Sequence, residues 1–154
     1  MTALNWQPYD TFQRDVGVGT IDLDTDTFHM ALFLVSSNAS DIGSSSILSE
    51  LDNELAAGDG YALEGCPLSS VTFARQDSGP YSMFDAANLD FNADGGDLVF
   101  RRGVIFSKTG TACPLVAHVL WDDTPDDITL TDGNVFTCCF SASGILSFVA
   151  SALA

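Results

Sequence analysis

The sequence predicts an all-β domain, mostly antiparallel, of β-sandwich or jelly-roll-like type, with one short helix over about 47–55. Three observations carry this expectation. The acid is 18 Asp against 3 Glu, and there is a single lysine, Lys108; Asp favours turns, whereas Glu and Lys are what exposed helix faces use. Thr, Ser, Val and Phe are plentiful, and 13 Gly supply turn positions. Apolar runs of strand length recur at roughly 8–12-residue spacing with Gly, Asp and Pro between them.

Taken in order, residues 1–19 are glycine-punctuated and read as an N-terminal arm or edge segment, ahead of a single β-rich domain over 20–154. Residues 20–28 read as a short strand with an Asp-rich turn. The continuous apolar run over 28–35 suits a central strand buried on both faces. After a polar loop, Ser46 is placed to cap the helix, with Ile47, Leu48, Leu51 and Leu55 at helical spacing, and Gly58 and Gly60 stop it. Strands are then expected within 68–74, 81–91, 98–106, 115–121, 128–131, 135–140 and 145–149, joined as sequential hairpins. A chain of 154 residues that is 46% hydrophobic forms one domain and buries about two-thirds of its unfolded surface.

Charge narrows the partners. The formal net charge is −16, which repels phosphate backbones and anionic lipid, so direct nucleic-acid or membrane-surface binding is not expected. The start carries neither a basic n-region nor an apolar h-region, so no secretory signal is read there. Residues 133–154 hold no charged side chain, long enough to raise the question of a membrane anchor. Asn134, Gly144 and a series of serines interrupt the run and no Lys or Arg flanks it, so two strands explain it better. Its closing stretch, 148–154, then reads as an apolar edge that needs cover, most simply from another subunit.

The chemistry-bearing motifs are sparse. Asp90, Asn92, Asp94 and Gly95 match the first half of an EF-hand loop. The twelfth position, where a bidentate Glu closes such a site, is Arg101. Asp22, Asp24 and Asp26 fail in the same way, with Phe33 at the twelfth position. Both clusters read as solvated turn acids, a weak cation site being the alternative. The four cysteines include the adjacent pair Cys138 and Cys139, which point to opposite faces of a strand and cannot easily bridge; buried free thiols are the reading. No zinc spacing, nucleophile elbow or phosphate-binding loop is present, so no catalytic, cofactor-binding or metal residues are assigned and no enzyme is expected. Arg101 and Arg102 alternate in facing, so one is expected to be buried against an acid, as a structural or subunit ion pair. Trp6 and Trp121 read as core or interface residues, with stacking on a sugar as the alternative.

The order of the pieces carries a family resemblance. It opens with GTIDLDTDTFHMAL over 19–32 and continues through Gly60, Tyr61 and Gly65 to FDAANLDF over 84–91 and FRRGVIF over 100–106. Pro114-Leu-Val-Ala117 and Ser143-Gly-Ile145 complete it. This resembles a group of small virion proteins of tailed bacteriophages, which carry a "GTIDLDTDTF" opening, a "GNGY…GG" turn, an "FDADDVTW" segment and an "aRYAVIY" strand. The chain departs from those patterns at Glu64, which stands for the first glycine of the "GG" pair. It departs again at Arg102 and Phe106, which stand for the two tyrosines, and at Gly103, which stands for alanine. The resemblance implies a structural virion protein made in the host cytoplasm, preferably a capsid decoration or cement protein. Its partners would be the major capsid protein or another virion protein, and further copies of itself as a homotrimer or similar multimer. A tail or fibre component is the first alternative, and a soluble carbohydrate- or ligand-binding β-sandwich the second.

Overall fold

The structure is a computed structural model that describes residues 4–124 and 126–149. It is all-β, every strand pairing is antiparallel, and one short helix is present.

The scaffold is a two-stranded ribbon folded over on itself. Strands β5 (Tyr81–Asp85), β6 (Leu89–Asn92), β7 (Leu98–Phe100) and β8 (Arg102–Ser107) run out. Strands β9 (Leu115–Leu120), β10 (Ile128–Leu130), β11 (Val135–Cys138) and β12 (Leu146–Val149) run back. They pair as β8 with β9, β7 with β10, β6 with β11 and β5 with β12. That nesting is the pairing order of a jelly roll, and it corrects the expectation of sequential hairpins: only β8–β9 closes the ribbon locally. A hydrophobic period of two says which face of a strand is buried but nothing about which strand lies beside it. The remaining strands extend this ribbon. β1 (Gln7–Pro8), β2 (Phe28–Phe33) and β3 (Cys66–Pro67) join β8 and β9 in a five-stranded sheet ordered β1-β9-β8-β2-β3, and β4 (Thr72–Arg75) joins β5 in a sheet ordered β12-β5-β4.

β2 is buried on both faces, as its unbroken apolar run requires. Phe28, Met30 and Leu32 share one cluster with Phe84, Phe91, Leu98 and Phe100 from the smaller sheets, which makes the sandwich core. Ala31 and Phe33 face the other way, into a cluster with Val104, Phe106 and Leu115, and with Tyr9, Ala39 and Cys113 from loops. Pleating sends alternate residues to opposite faces, so two cores share three strands. Between Ile105 and Phe106 the ladder shifts register, with Phe106 opposite Leu115 and Ile105 opposite Ala117; the extra residue, Val116, is a bulge that bends the sheet here.

Two local expectations need correction. No helix spans 47–55. Ile47 is extended and bridges Pro114, and a single 3-10 turn, Leu48–Glu50, follows. The Glu50 carboxylate accepts the N–H groups of Ser46 (2.6 Å) and Ile47 (3.3 Å), which stabilises one turn from behind. Leu51 is already extended, and Asn53 lies at φ 53°. Leu48 and Leu51 need only one turn to reach the same cluster, so the spacing that resembles a helix is met without one. The short helix, α1 (Phe12–Gly17), sits instead in the N-terminal segment, where Phe12 and Val16 reach the sandwich core. That segment forms an edge: β1 lies along β9 and Tyr9 is buried behind it. Of the short strand and Asp-rich turn expected over 20–28 only the turn is present before β2: Asp22 Oδ1 accepts the N–H of Asp24 at 3.0 Å and of Thr25 at 3.3 Å.

The turn at 64–65 is left-handed at two successive residues. Glu64 and Gly65 are both left-handed, at φ 65° and 66°, where two glycines would be at ease. Glu64 carries an ion pair to Lys108 and donates its N–H to Glu54 Oε1 at 2.6 Å. Replacing Glu64 by Gly removes about 1 kcal/mol of backbone strain, while losing a part-exposed ion pair worth up to about 1 kcal/mol and adding chain entropy to the unfolded state. These offset, and the urea midpoint of Glu64→Gly is expected to change by no more than about 1 kcal/mol-equivalent.

Candidate interaction face

The acidic side chains are mostly occupied where the ribbon bends. At the corner between β6–β11 and β7–β10, Asp132 Oδ1 accepts the Gly95 N–H and Asp97 Oδ1 accepts the Asp132 N–H, both at 2.9 Å. Directly across the β6–β11 pair, the Thr137 hydroxyl donates to Asp90 Oδ1 at 2.6 Å. A carboxylate acting as backbone acceptor closes a turn without a regular ladder. The half EF-hand pattern over 90–95 therefore spans a strand end and a corner, and among the described residues no group of three metal-ligating side chains converges. Asp22 is held below the usual carboxylate range by the N–H groups of Asp24 and Thr25.

The two arginines do not meet carboxylates. Arg101, which interrupts the strand between β7 and β8, is buried and donates from Nη1 to the Asp126 carbonyl oxygen. Arg102 is half-buried and donates from Nη1 to the Val35 carbonyl at 3.1 Å. Neither forms an ion pair among the described residues. The expected burial of one arginine is met by Arg101, but its acceptor is a backbone carbonyl rather than the expected carboxylate.

All four cysteines are free. Cys138 is buried and Cys139 exposed, on opposite faces as expected of strand neighbours, and burial pushes the Cys138 thiol up to about 12. Cys113 is also buried, while Cys66 is only half-buried.

Of the two histidines, His29 contacts the Glu64 carbonyl through Nδ1 at 3.2 Å. His118 is 5% exposed and neither ring nitrogen has a partner. Burial, with Arg102 nearby, pushes its pKa down to about 4. The fold thus binds fewer protons here than the unfolded chain between about pH 6.5 and 4, so this residue's contribution is present above that window and is lost as pH falls through it. The loss is on the order of 3 kcal/mol. Replacing His118 by Phe, which leaves no unpartnered nitrogen, is expected to make the stability decline between pH 7 and 4 shallower than in the wild type by about that amount. Parallel urea titrations at both pH values check it.

Trp121 is 5% exposed, so its ring faces are closed to a sugar. It sits on Gly103, where an added Cβ would lie 2.6 Å from the ring, so the glycine makes room for this tryptophan. Trp6 packs edge-on against Trp121, 5.8 Å away at 89°, and lies 6.0 Å from Phe140.

What stands out is the seam where the sandwich is open. β1 ends the five-stranded sheet and β12 ends the three-stranded one. Between the N-terminal segment and β12 lie two clefts of about 280 and 210 Å³, both touching Ser147. Trp6, Trp121 and Ile145 line the first, and Pro8, Phe12 and Phe148 the second. No residue lining either cleft is charged. Val149, at 66% exposure, closes the edge. The apolar end expected over 148–154 is described only to Val149, and 150–154 lie outside the described residues. Among the described residues no helix is long and apolar enough to cross a membrane. No protein-family model, no curated protein and no solved structure matches the chain.

Proposed function

We propose that the chain is a non-enzymatic structural protein of a tailed-bacteriophage virion, most simply a decoration or cement protein that binds the capsid exterior in multimeric form. The observation that carries this reading is the division of the surface. In a chain of net charge −16, the seam between β1 and β12 is lined, among the described residues, without a single charge, and a strand edge left unpaired by those residues has backbone groups to share with a neighbour. Acidic flanks oppose contact elsewhere between copies and disfavour packaged nucleic acid. The resemblance adds the phage assignment. Its segments fall on fold-determining positions: Phe28 and Phe84 in the core, Tyr61 bonded to β2, and Gly65 against it.

A tail or fibre role uses the same seam with a different neighbour. Copy number in purified particles separates the two: capsomer stoichiometry supports decoration, a few copies per particle supports the tail, and absence from the particle overturns both. Light scattering of the isolated chain tests the seam. The wild type is expected to self-associate at high concentration and Ser147→Asp, which puts a charge beside both clefts, to remain monomeric. A monomeric wild type, or an equally associated variant, removes the seam from the proposal.

A further inference from the structure

A third cleft, of about 180 Å³, opens on the opposite face of the same sheet edge and, unlike the seam clefts, carries a charged side chain, Arg102, in a mostly apolar lining. Strand register builds it. Arg102 on β8 lies opposite Leu120 on β9, Val104 lies opposite His118, and His118 lies opposite Gln7 on β1. Residues directly opposite share a face, so Arg102, Leu120, His118 and Gln7 converge there, and Leu4, Asn5 and Ser40 complete the lining. In a chain with 21 acidic residues, none lines this cleft.

We propose that this cleft binds a carboxylate, presented by an acidic side chain of a neighbouring protein chain. Arg102 has five N–H donors, of which Nη1 is committed to the Val35 carbonyl, and no carboxylate pairs with it among the described residues. Asp127, close enough for its charge to act on Arg102, accepts the Val35 N–H at Oδ1 instead, at 2.8 Å. His118 is buried at the wall of the cleft, and among the described residues both its nitrogens are unpartnered, an arrangement that costs free energy unless an acceptor arrives. The amides of Asn5 and Gln7 and the hydroxyl of Ser40 add neutral donors at the rim. Size selects the source: metabolite pockets measure roughly 300–1,000 Å³, whereas this cleft takes one carboxylate and its stem. Leu4 and Asn5 line both this cleft and the larger seam cleft, so a neighbour seated on the seam is in position to insert an Asp or Glu beside Arg102. In that respect the assignment of a neighbouring chain rests on the proposed assembly role, while the carboxylate chemistry does not.

The test is an NMR titration of the isolated chain, following the Arg102 side-chain N–H and the His118 ring. The probes are sodium acetate, neutral acetamide at matched ionic strength, and a blocked Ala-Asp-Ala peptide. Acetate and the peptide are expected to give saturable shifts at both residues and acetamide none. Arg102→Met, which keeps the apolar stem, is expected to lose saturation, and Asp127→Asn, which removes the internal competitor, to tighten it. Equal effects of acetate and acetamide, or saturation that survives in folded Arg102→Met, overturn the carboxylate site. Binding of acetate without the peptide overturns the protein-chain source alone. Saturable binding in a chain that light scattering shows to be monomeric keeps the site and removes the self-assembly reading.

Discussion

Gly65→Ala is expected to abolish stable folding. Gly65 lies at φ 66°, and a Cβ added there would sit 1.8 Å from the Met30 carbonyl oxygen and 2.7 Å from Ala31 Cα. Those are backbone atoms of β2, the strand that both cores share, so nothing can swing aside. The left-handed conformation alone costs a non-glycine residue about 1–2 kcal/mol. Displacing β2 adds the loss of core packing, which for one large side chain runs to about 3–5 kcal/mol. Together these approach the whole stability of a domain of this size, about 5–15 kcal/mol. The measurement is the yield of soluble protein and, where any is obtained, its thermal midpoint. A fall of less than about 5 °C, equivalent to under about 2 kcal/mol, would show that the turn is looser than its geometry indicates. The neighbouring Glu64→Gly is the control, because it alters the same turn with little net effect.

The second large effect is expected at Phe84. Its ring is fully buried and meets Phe28 at 5.0 Å and 67°, edge to face. Phe84 belongs to the three-stranded sheet and Phe28 to the five-stranded one, so this contact ties the two layers together. Phe84→Ala is expected to cost about 3–5 kcal/mol, with part of that coupled to Phe28 through the aromatic pair, itself worth about 0.5–1.5 kcal/mol. A double-mutant cycle with Phe28→Ala, read by urea unfolding, is expected to be non-additive by about that amount. Strict additivity would mean that the two sheets are held together by other contacts.

Much of the strand content was legible because strand burial leaves a local trace. The run over 28–35 is uniformly apolar, and β2 is buried on both faces. Opposite facing of Cys138 and Cys139 follows from a period of two, and so does the burial of only one of them. The helix reading over 47–55 failed because Leu48 and Leu51, three residues apart, satisfy one 3-10 turn as well as they satisfy a longer helix. Tertiary pairing of Ile47 with Pro114 and of Glu54 with Phe33 then drew the flanks straight. α1 was missed for the converse reason: with six residues and no side-chain N-cap, it owes its existence to packing, which leaves too short a period to read.

The candidate clefts were legible only in part. The absence of charge beyond Asp132 raised the expectation that the C-terminal strands meet a neighbour, and glycine punctuation marked residues 1–19 as an arm or edge, but nothing local to either indicates that they border one seam. The Arg102 cleft was invisible, since its lining comes from residues 4 to 120 and depends on the register of three strands.

By itself the sequence determined the class of the fold, the faces of its principal strands and the absence of charge from the chain beyond Asp132. These properties depend on the identity of each residue and its nearest neighbours along the chain. Only the tertiary structure decided which strands pair, that Asp97 and Asp132 close a corner and that Arg102 faces a neutral cleft. Hydrogen-bonded pairing is chemically the same for every strand, so partner choice is settled by how the whole set of apolar faces can be buried at once.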